Sequence, residues 1–232
     1  MVERAGIDLS LIESLFMEKS FQRSAAICLL FGILLMIATM VLHPSGGSIE
    51  QIVRISSMVM ISHSLAILSI PFLFFGFYGL SVLLLNKTKW TMLALSSAGF
   101  ALVAVMLAGS INGIVLPMYA LRYAGETGSN LEMVKRVVNY GFMLNKTMDY
   151  IFVGGFSLAQ FIWSLHMIHN SSFPRWMGWL GVLLVLLILA ASLLSFNLVD
   201  LLGFRIYVLG TAAWLLCAGG WMGWKTWVQT NT

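Results

Sequence analysis

Two charged residues stand three apart in an otherwise apolar stretch, FMLNKTMDYIFVGGF (142–156): Lys146 and Asp149. Charged residues make up only 9% of the chain, so this pairing needs a reason. An ammonium and a carboxylate at i and i+3 share one helix face. There they can pair with each other at a membrane boundary, or together hold a polar ligand. Two histidines and an amide have the same ambiguity. His63 lies in SSMVMISHSLA, His43 beside Pro44 in HPSGG, and Asn112 in GSINGIV. An imidazole of that kind binds a polar head, relays a proton, or packs against a hydroxyl or carbonyl. His166 and His169 sit one turn apart, but no neighbouring carboxylate or third histidine completes a metal set there. No metal and no cofactor is expected.

These residues have to be positioned inside lipid. The chain has 232 residues, is 59% hydrophobic and has a mean hydropathy of +0.92. Soluble domains are typically about 45–50% apolar and about 25% charged. So much apolar surface cannot be hidden in one aqueous core. A span needs about 20 apolar residues to cross about 30 Å of hydrocarbon. The windows that qualify are roughly 24–43, 64–85, 90–112, 149–168, 176–196 and 205–224. Their runs are continuous rather than alternating, which excludes a β-barrel. The expectation is an all-α, polytopic bundle of six transmembrane helices forming one domain over 24–232. Before it, residues 1–23 read as an amphipathic helix at the membrane interface, with Ile7, Leu11, Ile12, Leu15 and Phe16 near helical spacing.

Spans 2 and 4 are preceded by SIEQIVRISSMVMISH and NLEMVKRVVNYGFMLNK, which prolong their helical patterns by about 15 residues, or about 22 Å. Ser48 and Asn130 are the candidate N-caps. These extensions are rich in Ile, Val and Met, so they must pack on something. The candidates are each other, the end of span 3, a second copy of the chain, a membrane-complex partner or a lipophilic ligand.

Basic residues in the tightest connections (Arg23, Lys87, Lys89, Arg175, Lys225) favour cytoplasmic termini. The tryptophans Trp90, Trp176, Trp179, Trp221, Trp224 and Trp227 fit an interfacial belt on that side. Counting about 20 residues from the same side places His43, His63, Asn112, Lys146 and Asp149 in one layer near the opposite boundary. Two readings follow. Either Lys146 and Asp149 mark the boundary and pair there, or the layer is a polar pocket between spans 2, 3 and 4. In the second reading His63, Asn112, Lys146 and Asp149 line the pocket, and Met60 and Phe142 stand among its apolar walls.

Cys28 and Cys217 each fall inside a span and read as packing residues. The net charge of +4 is dispersed, without a nucleic-acid stripe, and suits contact with membrane lipids. No H-E-x-x-H, G-x-S-x-G or phosphate-binding glycine loop is present, so no enzyme class is indicated. Three functions fit: binding of a lipid or small amphiphile in the outer-leaflet pocket, ion-coupled transport, or service as an accessory subunit without a catalytic site. The segment SSFPRWMGWLGVLLVLL (171–187), with Pro174, Arg175 and Trp176 opening a helix that continues through Gly178 and Gly181, resembles the 4–5 connection of bacterial six-span membrane proteins in domain-of-unknown-function families. That resemblance covers under a tenth of the chain. It implies a bacterial cytoplasmic-membrane protein and no particular activity.

Overall fold

The computed structural model describes residues 9–44, 47–85, 89–170 and 172–231. Its elements are α1 (Leu9–Leu42), α2 (Ile49–Leu83), α3 (Trp90–Ser110), a π turn (Ile111–Val115), α4 (Leu116–Arg122), α5 (Gly128–His169), α6 (Arg175–Leu193) and α7 (Leu201–Asn231). No strand occurs among the described residues. With α3, the π turn and α4 taken as one rod, six helices are long and apolar enough to cross a membrane. The chain is a multi-pass membrane protein. Six crossings bring the start of α1 and the end of α7, the terminal helices, to one end of the bundle.

The amphipathic segment expected over 1–23 is helical from Leu9 onward and runs into the first span without a break. Its first eight residues lie outside the described ones. Helix α2 has 35 residues and α5 has 42, so both overshoot a hydrocarbon core of about 30 Å. Ser48 caps α2, its hydroxyl accepting from the Gln51 N–H at 3.4 Å. The other expected cap is corrected. Helix α5 begins at Gly128 after Thr127, and Asn130 is already inside it, its amide donating to Glu126 Oε2 at 2.9 Å. Gly125 and Gly128 take positive φ (99° and 59°), which turns the chain before Asn130 is reached.

Neighbours in sequence are neighbours in space. The packed pairs are α1–α2, α2–α3, α3–α5, α5–α6, α6–α7 and α7–α1, a closed ring of six spans. Lipid tails are as apolar as leucine, so helices associate by close packing rather than by hydrophobic expulsion. The α1–α2 seam has the small residues that this requires. A β-carbon at Gly76 would lie 2.7 Å from the Leu29 Cα, and one at Gly79 would overlap Ala25. On α3, Ala94, Ala98, Ala101, Ala104 and Ala108 are buried, and Ser97 Oγ donates to the Gly155 carbonyl of α5 at 2.7 Å. Across the ring interior, Phe77 stacks with Phe156 and Trp163 at 5.4 and 5.3 Å. The Trp163 indole N–H donates to Ser81 Oγ at 2.9 Å, joining α5 to α2.

Beyond the ring, the extensions of α2 and α5 both pack on α4. Ile52, Ala120, Val134 and Val138 form a separate buried cluster, with Tyr119, Tyr123 and Phe142 packed around it. The cap is thus filled by its own side chains.

The α1–α2 seam yields a controlled test. Gly76→Ala forces two backbones apart and should cost about 1–3 kcal/mol, the usual penalty of overpacking. Gly154→Ala, where an added β-carbon meets nothing within 4 Å, should leave stability unchanged or slightly raised. Thermal unfolding of both variants in the same detergent checks the difference; equal midpoints would contradict the close α1–α2 approach.

Candidate functional site

At the end of the ring away from the termini, the interior opens into a cavity of about 210 Å³ with a mixed polar wall. Its sides come from α1, α2, α3, the π turn, α5 and the first turn of α7.

His63 projects from α2, where Nδ1 lies 2.9 Å from the Val59 carbonyl. His43 follows the end of α1, and its Nδ1 lies 2.9 Å from the Pro44 carbonyl. A nitrogen facing a carbonyl must carry the proton, so in each neutral ring Nε2 is left as a bare acceptor. The two rings are 4.8 Å apart between centroids. Asp149 of α5 is buried, and its Oδ2 accepts from Asn145 Nδ2, one turn earlier, at 2.8 Å.

The π turn sets the shape of this wall. Pro117 has no N–H to give to the Gly113 carbonyl, and its ring would crowd that oxygen in a regular helix. The helix widens instead, and the Leu116 N–H reaches five residues back to the Ile111 carbonyl. Asn112 lies inside the widened turn and lines the cavity. Gly113 lies there too, and a methyl group on it would overlap the His63 imidazole. Absence of a side chain at Gly113 is what seats the ring.

Helix α7 brings the cation. Asp200 caps it, Oδ1 accepting from the Gly203 N–H at 2.7 Å. Arg205 follows one turn on, and its Nη2 donates to the His43 carbonyl. Arg205 Nε is buried without a hydrogen-bond partner. The one ion pair among the described residues is Lys135–Glu132, so no carboxylate lies within ion-pair distance of Arg205. Tyr207 steadies the helix below, its hydroxyl donating to the Val153 carbonyl at 3.2 Å.

Deeper along the axis the walls become apolar. A narrower pocket of about 60 Å³ continues from the same Thr39, Met40, Ala66 and Phe204 down to Met36, Leu73, Phe77 and Phe156.

Of the residues singled out from sequence, His63, Asn112 and Asp149 line the cavity together, and His43 joins them. Lys146, Met60 and Phe142 do not. Lys146 is exposed and makes no ion pair with Asp149, whose partner is Asn145. Met60 is outside the wall, and Phe142 belongs to the cap. The walls also differ from those expected, because spans 1 and 6 contribute alongside 2, 3 and 4. Asn145, Asp200 and Arg205 were missed as site residues. The available signal was an arginine one turn inside an apolar span, in DLLGFRIYVLG. The inner pair, His166 and His169, bond the Ile162 and Leu165 carbonyls of their own helix, each at 2.9 Å. Among the described residues, no three of His, Cys, Asp and Glu gather as a metal set.

If Gly113 seats His63, then Gly113→Ala must displace the ring or open the α2–α3 contact. The expected result is a loss of about 1–3 kcal/mol in detergent unfolding. In Gly113→Ala/His63→Ala, where the clash is relieved, much of that loss should be absent. Additive losses would show that the two residues do not meet.

No protein-family model, no curated protein and no solved structure matches the chain.

Proposed function

We propose that the protein binds a small amphiphile carrying an anionic group, with that group against Arg205 and the apolar part in the pocket beneath. It would do so in a bacterial cytoplasmic membrane with both termini cytoplasmic, so that the cavity serves the outer leaflet. The basic inner connections and the tryptophan belt support that orientation. The observation that carries the reading is the Arg205 guanidinium. It stands in a cavity wall without a carboxylate partner, directly above an apolar well. The guanidinium is half-buried, with one donor on the His43 carbonyl and Nε left unmet, and a partly desolvated charge is better stabilised when it is paired. An anionic head supplies the missing partner, and guanidinium suits carboxylate or phosphate oxygens through paired N–H donors. The space is modest beside the ~300–1,000 Å³ of drug-sized sites. It suits a head and the start of a chain rather than a whole phospholipid. Transport coupled to an ion draws less support, because α2 and α5 run through the layer as single unbroken helices.

Dodecanoate and dodecanol, equal in chain and different in head charge, test this directly. Dodecanoate should bind the purified protein more tightly. A hydrogen-bonded contact to a charged group contributes about 1.5–3 kcal/mol, so Arg205→Gln should weaken dodecanoate roughly tenfold or more. Arg205→Lys should keep part of the affinity, and dodecanol should be indifferent to both. Calorimetric titration in a fixed detergent reads the result, with unfolding midpoints confirming that the variants are folded. Equal binding of acid and alcohol would remove the proposal.

A further inference from the structure

Arg205 accounts for only one side of the cavity. Other lining residues present hydrogen-bond acceptors to the same space. His43 and His63 each turn a bare Nε2 away from the backbone carbonyl that holds Nδ1. Asp149 has one oxygen on Asn145, and Oδ1 has no partner among the described residues. Asp200, on the same cavity, already uses Oδ1 to cap α7. The ionisable groups facing the space are therefore these two carboxylates, two imidazoles and one guanidinium. Two carboxylates and two imidazoles against one guanidinium leave acceptors to spare. A purely anionic guest would leave them unmet, whereas a guest bearing both signs would meet them and Arg205 together.

Resting on the anionic-head reading above, we infer that the ligand is a zwitterion with a primary ammonium, its anion on Arg205, its ammonium on Asp149 and the two imidazole Nε2 atoms, and its apolar part in the well. A primary ammonium has three N–H donors to offer the acceptors that Asp149, His63 and His43 bring to one cavity. A quaternary ammonium has none, and would bring methyl groups against the carboxylate. The same chemistry belongs to an ethanolamine-phosphate lipid head and to a soluble amino-acid-like zwitterion.

Lysophospholipids of one acyl chain with ethanolamine, choline or bare phosphate heads separate these features. Chainless glycerophosphoethanolamine separates the two sources. Titrated into the full-length protein in detergent, the ethanolamine head should bind roughly tenfold or more tighter than the choline and phosphate heads. Asp149→Asn, nearly isosteric and still able to bond Asn145, should erase that gap and leave the choline head unchanged. Binding of the chainless compound as tight as that of the lysolipid would assign the site to a soluble zwitterion; much weaker binding would assign it to a lipid. Equal affinity for all three heads, each weakened by Arg205→Gln, would overturn the ammonium assignment and leave the anionic-head reading standing. No head dependence and no Arg205 dependence would overturn both. The head series on the unaltered protein decides the matter even where Asp149→Asn fails to fold.

Discussion

A polar group surrounded by hydrocarbon finds no water, so it must find protein. Most of this ring obeys that constraint by tying helices together. Three tryptophan indoles donate across helix boundaries, Trp163 to Ser81, Trp214 to the Met177 carbonyl and Trp221 to the Ser172 carbonyl. Serine and threonine hydroxyls turn back onto carbonyls of their own helix, as Thr39 does to Leu35 and Ser69 to Ala66. Thr91 Oγ1, Gln160 Oε1 and Ser164 Oγ lack partners, but they are neutral. At the end away from the termini the pattern changes. There the buried orphan is a guanidinium N–H, that of Arg205, and Asp149, His43 and His63 line the same cavity. An unmet charged group facing a cavity is the kind of exception that the proposed guest would account for.

The fold was legible in the sequence because its signal is long and repetitive. Six apolar windows, the overshooting patterns before spans 2 and 4, and the Ser48 cap follow from hydropathy, helical rise and capping chemistry. The shared depth of His43, His63, Asn112 and Asp149 was legible for the same reason, since rise per residue is nearly constant. Rotation about each helix axis was less so. Lys146 precedes Asp149 by three residues and Asn145 precedes it by four. At 100° per residue they fall about 60° to one side of Asp149 and about 40° to the other. The cavity lies on the Asn145 side. Met60 stands to His63 as Lys146 stands to Asp149, and it is lost for the same reason. Spacing puts i and i+3 on one face, but only a neighbouring helix decides which edge of that face is covered. Arg205 was hidden by a different gap. Depth alone does not tell that α7 closes the ring against α1, and that closure brings Arg205 to the His43 carbonyl.

The irregular part of the third span shows how one residue type can place several others. Pro117 removes a donor, the turn before it widens, and Asn112 and Gly113 fall within that turn. Widened turns of this kind cost regular hydrogen bonding and occur often at functional sites. Here the disturbance is confined to the segment beside His63, while α2 and α5 stay helical past the same level. A boundary marker would need none of this, since an exposed Lys–Asp pair needs no shaped wall and contributes only about 0.2–0.5 kcal/mol.

The cap gives the cavity its electrical character. Charges at a membrane boundary are ordinarily screened by water and salt, with a Debye length near 8 Å under physiological conditions. The extensions of α2 and α5 continue beyond the polar layer and pack with α4 through Ile52, Ala120, Val134 and Val138. They contribute little to the cavity lining beyond His63 and Asn145. Their effect is to add apolar protein where a shorter pair of helices would leave water. The field of the charged groups on the cavity is then less damped, and contacts with the proposed guest would gain strength from the lower local dielectric. This gives a physical reason for two helices to run well past the membrane they cross.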